Sequence, residues 1–363
     1  MVPRQLLSPV SVGDLNLSNR VVMAPMTRSR ADQETEAVSQ LHMTYYAQRA
    51  NAGLIITEGV HPSRDGKGYN KTPGIYTPDQ IAAWSQVTRA VHDAGGLIAC
   101  QLMHCGRIGH PLNAPNSRFV APSAIPAQAE IFTPAGMQPM PTPEALTVPA
   151  IAEVVNEYRT AAENCLAAGF DAVELHCASG YLPAQFLATG SNQRGDEYGG
   201  ELANRLRFVR EVLEALVSAV GRGRVGIRIS PGNTYNDHVD DDPVSTYTGV
   251  LSVAESLGLA WVHTIRMPAT GIDSLALSRQ HFSGTLLGNE SFAPAEAEAA
   301  ISAGEVDAVS FGRLYIANPD LVPRLAAGQG NFNALDKKTI YAGEGTRGFT
   351  DYPTLEEQAA GQA

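Results

Sequence analysis

The 363-residue chain has few cysteines, modest charge and no long apolar run, and each shortage narrows what it can be. Four cysteines, Cys100, Cys105, Cys165 and Cys177, form neither a disulfide framework nor a CxxC pair for a structural zinc, so they read as reduced thiols. Bases are outnumbered, with Lys+Arg at 26 against 37 Asp+Glu and a net charge of -11, so the surface as a whole repels phosphate backbones. No nucleic-acid partner is expected. No stretch approaches the ~20 apolar residues of a membrane span, and Met1-Val2-Pro3-Arg4 lacks the apolar core of a signal peptide. The expectation is a cytoplasmic protein with no membrane association. Nor does composition break anywhere, and 44% hydrophobic with 17% charged residues describes a globular chain rather than a disordered one.

What is present is a rhythm. Short β-branched runs recur at residues 21–24, 54–57, 97–101, 171–176, 225–229, 261–265, 285–287 and 308–311. Stretches of helical periodicity lie between them, at roughly 37–51, 78–94, 149–168, 201–220, 245–257, 273–282, 293–303 and 318–327. Thr77-Pro78-Asp79 and Asn318-Pro319-Asp320 each read as a helix start, with a cap, a proline at the first helical position and an acid in the first turn. Gly95-Gly96, Gly169, Gly221 and Gly258 read as helix stops. Eight strand–helix pairs with near-continuously apolar strands predict an α/β protein, a single (β/α)8 TIM barrel forming one domain over residues 1–363. Residues 106–147 interrupt the rhythm with a proline-rich segment that holds no helix, expected to be a structureless lid loop after strand three. The C-terminal extension, about 329–363, is expected to wrap back over the barrel with its last ten residues loose.

In such barrels chemistry sits at the C-terminal ends of the strands. The residues there include Thr27 and Arg28, Glu58 and Gly59, Gln101, His104, His176 to Tyr181, Arg228, Gly288 to Ser291, and Gly312 with Arg313. Amides, a histidine and arginines with few carboxylates suit an anionic ligand bearing a polar heterocycle better than a hard metal. Gly288 and Gly312-Arg313 lie where these barrels hold phosphate, although a glycine after a strand is commonplace and an arginine can simply pair with an acid. His176 and Tyr181, five residues apart across a glycine turn, offer an imidazole and a phenol to one pocket; a satisfied structural histidine is the competing reading.

Longer motifs narrow the choice. Asn19-Arg20-Val21-Val22-Met23-Ala24-Pro25-Met26-Thr27-Arg28, Gln101-Leu102-Met103-His104-Cys105-Gly106-Arg107, Val173-Glu174-Leu175-His176 with Gly180-Tyr181-Leu182, Ser191-Asn192-Gln193-Arg194, Phe311-Gly312-Arg313 and Thr350-Asp351-Tyr352-Pro353 occur in order between about residues 5 and 355. Together they resemble the Old Yellow Enzyme family, and within it the bacterial ene-reductases. The resemblance implies bound FMN, with NADPH or NADH as hydride donor and a small-molecule activated alkene (an unsaturated carbonyl, an imide or a nitroalkene) as acceptor. It implies that Pro25, Met26 and Thr27 lie at the flavin ring, and that Gly59, Gln101 and Arg228 border its pyrimidine side. Gly312, Arg313 and the turn of Gly288, Asn289, Glu290 and Ser291 would hold its phosphate. In the implied ping-pong reaction the alkene takes a hydride from flavin N5, His176 and Ser179 stand at the oxyanion position, and Tyr181 delivers the proton. Tyr69, Met103 and Tyr341 match substrate-lining positions. No metal is implied, and a monomer or homodimer is expected.

Two residues depart from the pattern. Ser179 replaces a histidine or asparagine donor with a shorter hydroxyl, and Glu290 brings a negative charge to a turn that is glycine-rich in relatives. These departures leave room for a flavin-binding barrel that acts mainly as an NAD(P)H oxidase. A more remote alternative, a metal-dependent hydrolase using residues such as His104, His176 and Asp240, has no HxH pair at a strand end to support it.

Overall fold

Eight short strands hydrogen-bond side by side, every pair parallel, into a closed barrel. In this computed structural model, which describes residues 4–328 and 331–360, they are β1 Val21–Met23, β2 Leu54–Val60, β3 Ile98–Leu102, β4 Ala172–Cys177, β5 Val225–Ile229, β6 Trp261–Ile265, β7 Thr285–Asn289 and β8 Ala308–Phe311. All eight expected runs are barrel strands, and β8 pairs back onto β1 to close the ring. All but Thr285 of these strand residues are buried, as strands covered on both faces must be.

Helices cover the outside: α1 Gln40–Ala47, α2 Pro78–Asp93, α3 Val148–Ala167, α4 Leu182–Leu187, α5 Leu202–Arg205, α6 Arg207–Val220, α7 Pro243–Leu257, α8 Ser274–His281, α9 Pro294–Ser302, α10 Arg313–Ala317 and α11 Leu321–Ala326. In α6 the buried Phe208, Val209, Val212, Leu213 and Leu216 recur on one face at helical spacing, which is what presses a helix onto a sheet. Thr77 caps α2 as expected, its hydroxyl accepting from the Gln80 N–H at 3.3 Å. Gly95, Gly169, Gly221 and Gly258 take left-handed φ values of 80°, 88°, 86° and 64°, the conformation that ends a helix cheaply only with glycine. Asn318 does not repeat the Thr77 device: it is the residue after α10, and Asp320 precedes α11, so Pro319 lies between two helices rather than inside one.

The two ends of the barrel differ. A hairpin of Val10–Val12 and Leu15–Leu17, not anticipated from the sequence, packs Val12, Leu15 and Leu17 against the barrel residues Val22, Leu54, Ile56, Ala99 and Trp261. The opposite end carries the long connections. The segment 106–147 is not structureless: Glu130–Thr133 and Gly136–Pro139 form a hairpin, and Val120–Ala121 pairs with Glu144–Ala145. Its short strands hold too few residues to show a periodic pattern in sequence. The C-terminal segment returns to the same end, where Arg28 donates to Ile340 O at 3.1 Å and to Gly348 O at 2.7 Å. The described part of the last ten residues is a helix, Leu355–Ala360, tied down by a Leu355 N–H bond to Asp320 at 2.7 Å; residues 361–363 lie outside the described chain.

Candidate active site

The site residues expected from sequence come from several strand ends, and the structure divides them into three groups. The first is a pair of rings at the end of β4. The His176 imidazole and the Tyr181 phenol meet edge to face with centroids 4.9 Å apart, and the Tyr69 hydroxyl lies 3.1 Å from that of Tyr181. Gly180, at φ 76°, makes the turn between them, and an added Cβ there would sit 2.9 Å from Tyr235 O. His176 Nδ1 is buried with no hydrogen-bond partner among the described residues. Burial and the neighbouring Arg228 push the His176 pKa down to about 3, so the ring is neutral at physiological pH. Burial pushes the Tyr181 phenol well above its ordinary value, so it stays protonated. A neutral imidazole and a protonated phenol are both hydrogen-bond donors.

The second group is a buried polar network inside the barrel mouth. Gln101 Nε2 donates to Glu174 Oε1 at 2.8 Å. Glu174 Oε2 accepts from Trp261 Nε1 at 2.8 Å and lies 2.9 Å from His263 Nδ1. Arg228 Nη1 is 2.6 Å from His263 Nε2 and 3.1 Å from Nδ1, while its Nη2 donates to Asn289 Oδ1 at 2.7 Å. Ser310 Oγ closes the set, 2.7 Å from His263 Nε2 and 2.7 Å from Asn289 Nδ2. Burial alone would raise the Glu174 pKa, but His263 and Arg228 outweigh it and hold the carboxyl down at about 2. Burial and Arg228 lower His263 to about 4, so it is a neutral ring between an anion and a cation. Sequence reasoning missed this network. It placed Gln101 and Arg228 at the site but left Glu174 inside a motif, gave His263 no role and assigned Asn289 to the phosphate turn, whereas the Asn289 side chain is committed to Arg228. The available signal was polar residues inside apolar strands, which need polar partners once the barrel buries them.

The third group lies at the ends of β7 and β8. Glu290 and Ser291 take successive left-handed φ values of 81° and 56°. Arg313, its side chain 61% exposed, donates to Glu290 Oε1 at 2.7 Å and to Ser291 Oγ at 2.9 Å. The expected phosphate arginine therefore holds a carboxylate of its own chain.

The remaining expected residues fall outside these three groups. Pro25, Met26 and Thr27 follow β1, half-buried. A Cβ at Gly312 would come within 3.3 Å of Met26 Sδ, and one at Gly59 within 2.6 Å of Met103 Cε, so the Met103 side chain packs directly on Gly59 and would have to move for any side chain there. A bulge in β2 between Ile56 and Gly59 sets Gly59 opposite Gln101. Ser179, at φ 54°, receives Asn236 Nδ2 on its carbonyl at 2.9 Å. Tyr341 is 67% exposed in the C-terminal segment. All four cysteines are free and buried. Among the described residues no group of His, Cys, Asp or Glu could hold a metal ion, and no helix is long and apolar enough to cross a membrane.

A sequence model described as the NADH:flavin oxidoreductase / NADH oxidase family matches residues 5–331. The chain belongs to this family. It is the Old Yellow Enzyme family expected from the motifs, and the protein is an oxidoreductase of that FMN-dependent type. Among its relatives, a probable flavin mononucleotide-dependent alkene reductase of Leishmania infantum is 43% identical, over 96% of this chain and 97% of the relative. The 12-oxophytodienoate reductase 7 of Oryza sativa subsp. japonica is 39% identical over 96% of this chain and 94% of its own. Morphinone reductase superposes with a TM-score of 0.91 at 41% identity, covering 97% of both chains. A further structure of morphinone reductase, in complex with tetrahydroNAD, gives 0.91 at 42% identity over 96% of this chain and 97% of its own.

The site fits a flavin mononucleotide by its donor set. Gln101 Oε1 accepts no hydrogen bond within the described residues, Arg228 supplies a buried cation in the same network, and Arg313 with the 288–291 turn supplies a cation and a glycine-bearing turn.

Proposed function

We propose that this protein is an NAD(P)H-dependent ene-reductase that reduces activated alkenes such as α,β-unsaturated carbonyls, imides and nitroalkenes. Bound FMN supplies the redox chemistry, taking two electrons from a nicotinamide and giving them to the alkene in a ping-pong cycle. Gln101 and Arg228 hold the polar edge of the ring, with Pro25, Met26, Thr27 and Gly59 packed along it, and Arg313 with residues 288–291 holds the phosphate. The Arg228 guanidinium also favours negative charge at that edge.

The observation that carries the reading is the His176–Tyr181–Tyr69 cluster, three donors converging at one mouth with centroid and oxygen separations of 4.9 Å and 3.1 Å. His176 hydrogen-bonds the carbonyl or nitro oxygen of the alkene and stabilises the charge that grows there. Tyr181 gives its proton to the adjacent carbon. Ser179, half-buried beside them, adds a hydroxyl, and Tyr69, Met103 and Tyr341 border the substrate.

The test is the visible spectrum of the purified protein, reduced by NADPH without oxygen and then mixed with 2-cyclohexen-1-one. Rapid return of the oxidised flavin bands supports the reading. A yellow protein that bleaches and stays reduced keeps the flavin and points to oxidase activity instead. A colourless protein that FMN does not reconstitute overturns it.

A further inference from the structure

An amide side chain shows its surroundings either an acceptor or a donor, and the neighbour it is tied to decides which. Gln101 is tied through Nε2 to Glu174 Oε1 at 2.8 Å, so the end left over is the acceptor, Oε1. The other oxygen of the same carboxylate takes the Trp261 indole N–H at 2.8 Å and sits 2.9 Å from His263 Nδ1. A carboxylate only accepts, so the His263 proton is on Nδ1 and Nε2 is bare. Bare Nε2 is free to accept from the Ser310 hydroxyl at 2.7 Å, while Arg228 Nη1, 2.6 Å from Nε2 and 3.1 Å from Nδ1, lies off the lone-pair direction. One oxygen of Glu174 thus orients Gln101, and the other sets the tautomer of His263.

We propose that Glu174 is a positioning residue for cofactor recognition, fixing Gln101 as an acceptor so that, together with the guanidinium of Arg228, which only donates, it is complementary to the imide N–H and carbonyl groups of the flavin. The proposal rests on the FMN reading above. A flavin's pyrimidine edge carries one N–H between two carbonyl oxygens, and an inverted Gln101 would set a donor against that N–H.

Glu174→Gln tests it because the replacement keeps the shape. Two donors, Trp261 and His263, converge on the Oε2 place, so the new carbonyl settles there and its NH2 faces the NH2 of Gln101. Two donors cannot pair, and Gln101 turns over. FMN then binds the apo-protein about tenfold more weakly, read by quenching of flavin fluorescence, which is the scale of one lost hydrogen bond. Adding Gln101→Glu repairs the arrangement. The carboxylate placed at position 101 accepts from the amide at 174 with one oxygen and offers the other as acceptor, so affinity returns to within about threefold of the natural protein. A structural role alone gives no such rescue. Unchanged affinity in the single variant, or no recovery in the pair, overturns the proposal. A second measurement needs no variant: nitrogen chemical shifts of His263 in the apo-protein are expected to show the Nδ1–H tautomer, and the Nε2–H form overturns the proposal. A natural protein that binds no flavin at all overturns the FMN reading instead and leaves the tautomer to decide what Glu174 does.

Discussion

The phenol oxygen of Tyr69 stands 3.1 Å from that of Tyr181, whose ring in turn lies edge to face with His176. One of the two hydroxyls donates to the other, so Tyr69 holds the Tyr181 hydroxyl in a fixed direction. Tyr181→Phe removes the proton and keeps the ring contact. It is expected to slow alkene-dependent reoxidation by ~10²–10³, within the usual range for a general acid, while the rate of reduction by NADPH stays the same. Tyr69→Phe keeps the acid but frees its orientation, and is expected to cost about tenfold in the same half-reaction. Stopped-flow traces of the two half-reactions separate these outcomes.

The pKa values of the same residues set a pH profile. His176, lowered to about 3 by burial and Arg228, is neutral throughout the physiological range. Tyr181 stays protonated because burial raises it well above the ordinary phenol value. Neither changes state between about pH 5 and 9 on the reference scale, so the alkene half-reaction is expected to be flat there. A rate that instead changes through about pH 6.5, the ordinary histidine value, would mean that His176 titrates and is better exposed to water than its burial indicates.

A different carboxyl makes stability depend on pH. Burial pushes Glu58 up from 4.5 to about 7, against hydrogen bonds from Arg28 N–H and Tyr46. The folded protein therefore holds this proton more tightly than the unfolded chain. Relative to the fully protonated state, its contribution begins to fall as pH rises above 4.5 and is fully destabilising once pH has passed about 7. Glu58→Gln is expected to come close to the natural protein at pH 4.5 and to exceed it by roughly 3–4 kcal/mol at pH 8, since each pH unit separating the folded and unfolded pKa values is worth about 1.4 kcal/mol. Urea denaturation at the two pH values checks both the sign and the window.

How much of this could be read from the sequence follows from what each feature depends on. The eight strands could be read, since strands buried on both faces are apolar runs, and Val225–Ile229 and Trp261–Ile265 occupy the expected residues. The glycine helix stops could be read because a left-handed residue leaves a local mark. The hairpin at 130–139 could not, since Phe132 and Met137 face solvent and leave only a weak alternation. The Glu174–His263–Arg228 network was also hidden, because its members lie 35 to 89 positions apart in sequence and meet only when the barrel closes. Local motifs name residues, but closure decides which of them touch.

Ser179 tests the departure at the oxyanion position. Its φ of 54° is left-handed, a conformation in which asparagine is among the least strained of the larger residues. Ser179→Asn therefore places a longer amide donor three residues after His176 at little backbone cost. Turnover of 2-cyclohexen-1-one is expected to rise by ~10²-fold, on the scale of one oxyanion donor. An unchanged or lower rate under saturating NADPH would show that the serine suits a different acceptor.

At Glu290 two features point the same way. Its φ of 81° is one that glycine adopts freely and glutamate does not, so the natural residue carries backbone strain. Its carboxylate also occupies Arg313 at 2.7 Å, and burial, which would raise its pKa, is outweighed by Ser291 and Arg313, so the group is ionised at neutral pH. A dianionic phosphate arriving at that turn must displace an anion and then sit beside it. Glu290→Gly removes both the strain and the competing charge. FMN is expected to be retained about tenfold more tightly on dialysis, whereas riboflavin, which has no phosphate, binds as before. Equal tightening of both ligands would assign the effect to the backbone alone, and unaltered retention would show that the carboxylate swings clear when FMN binds.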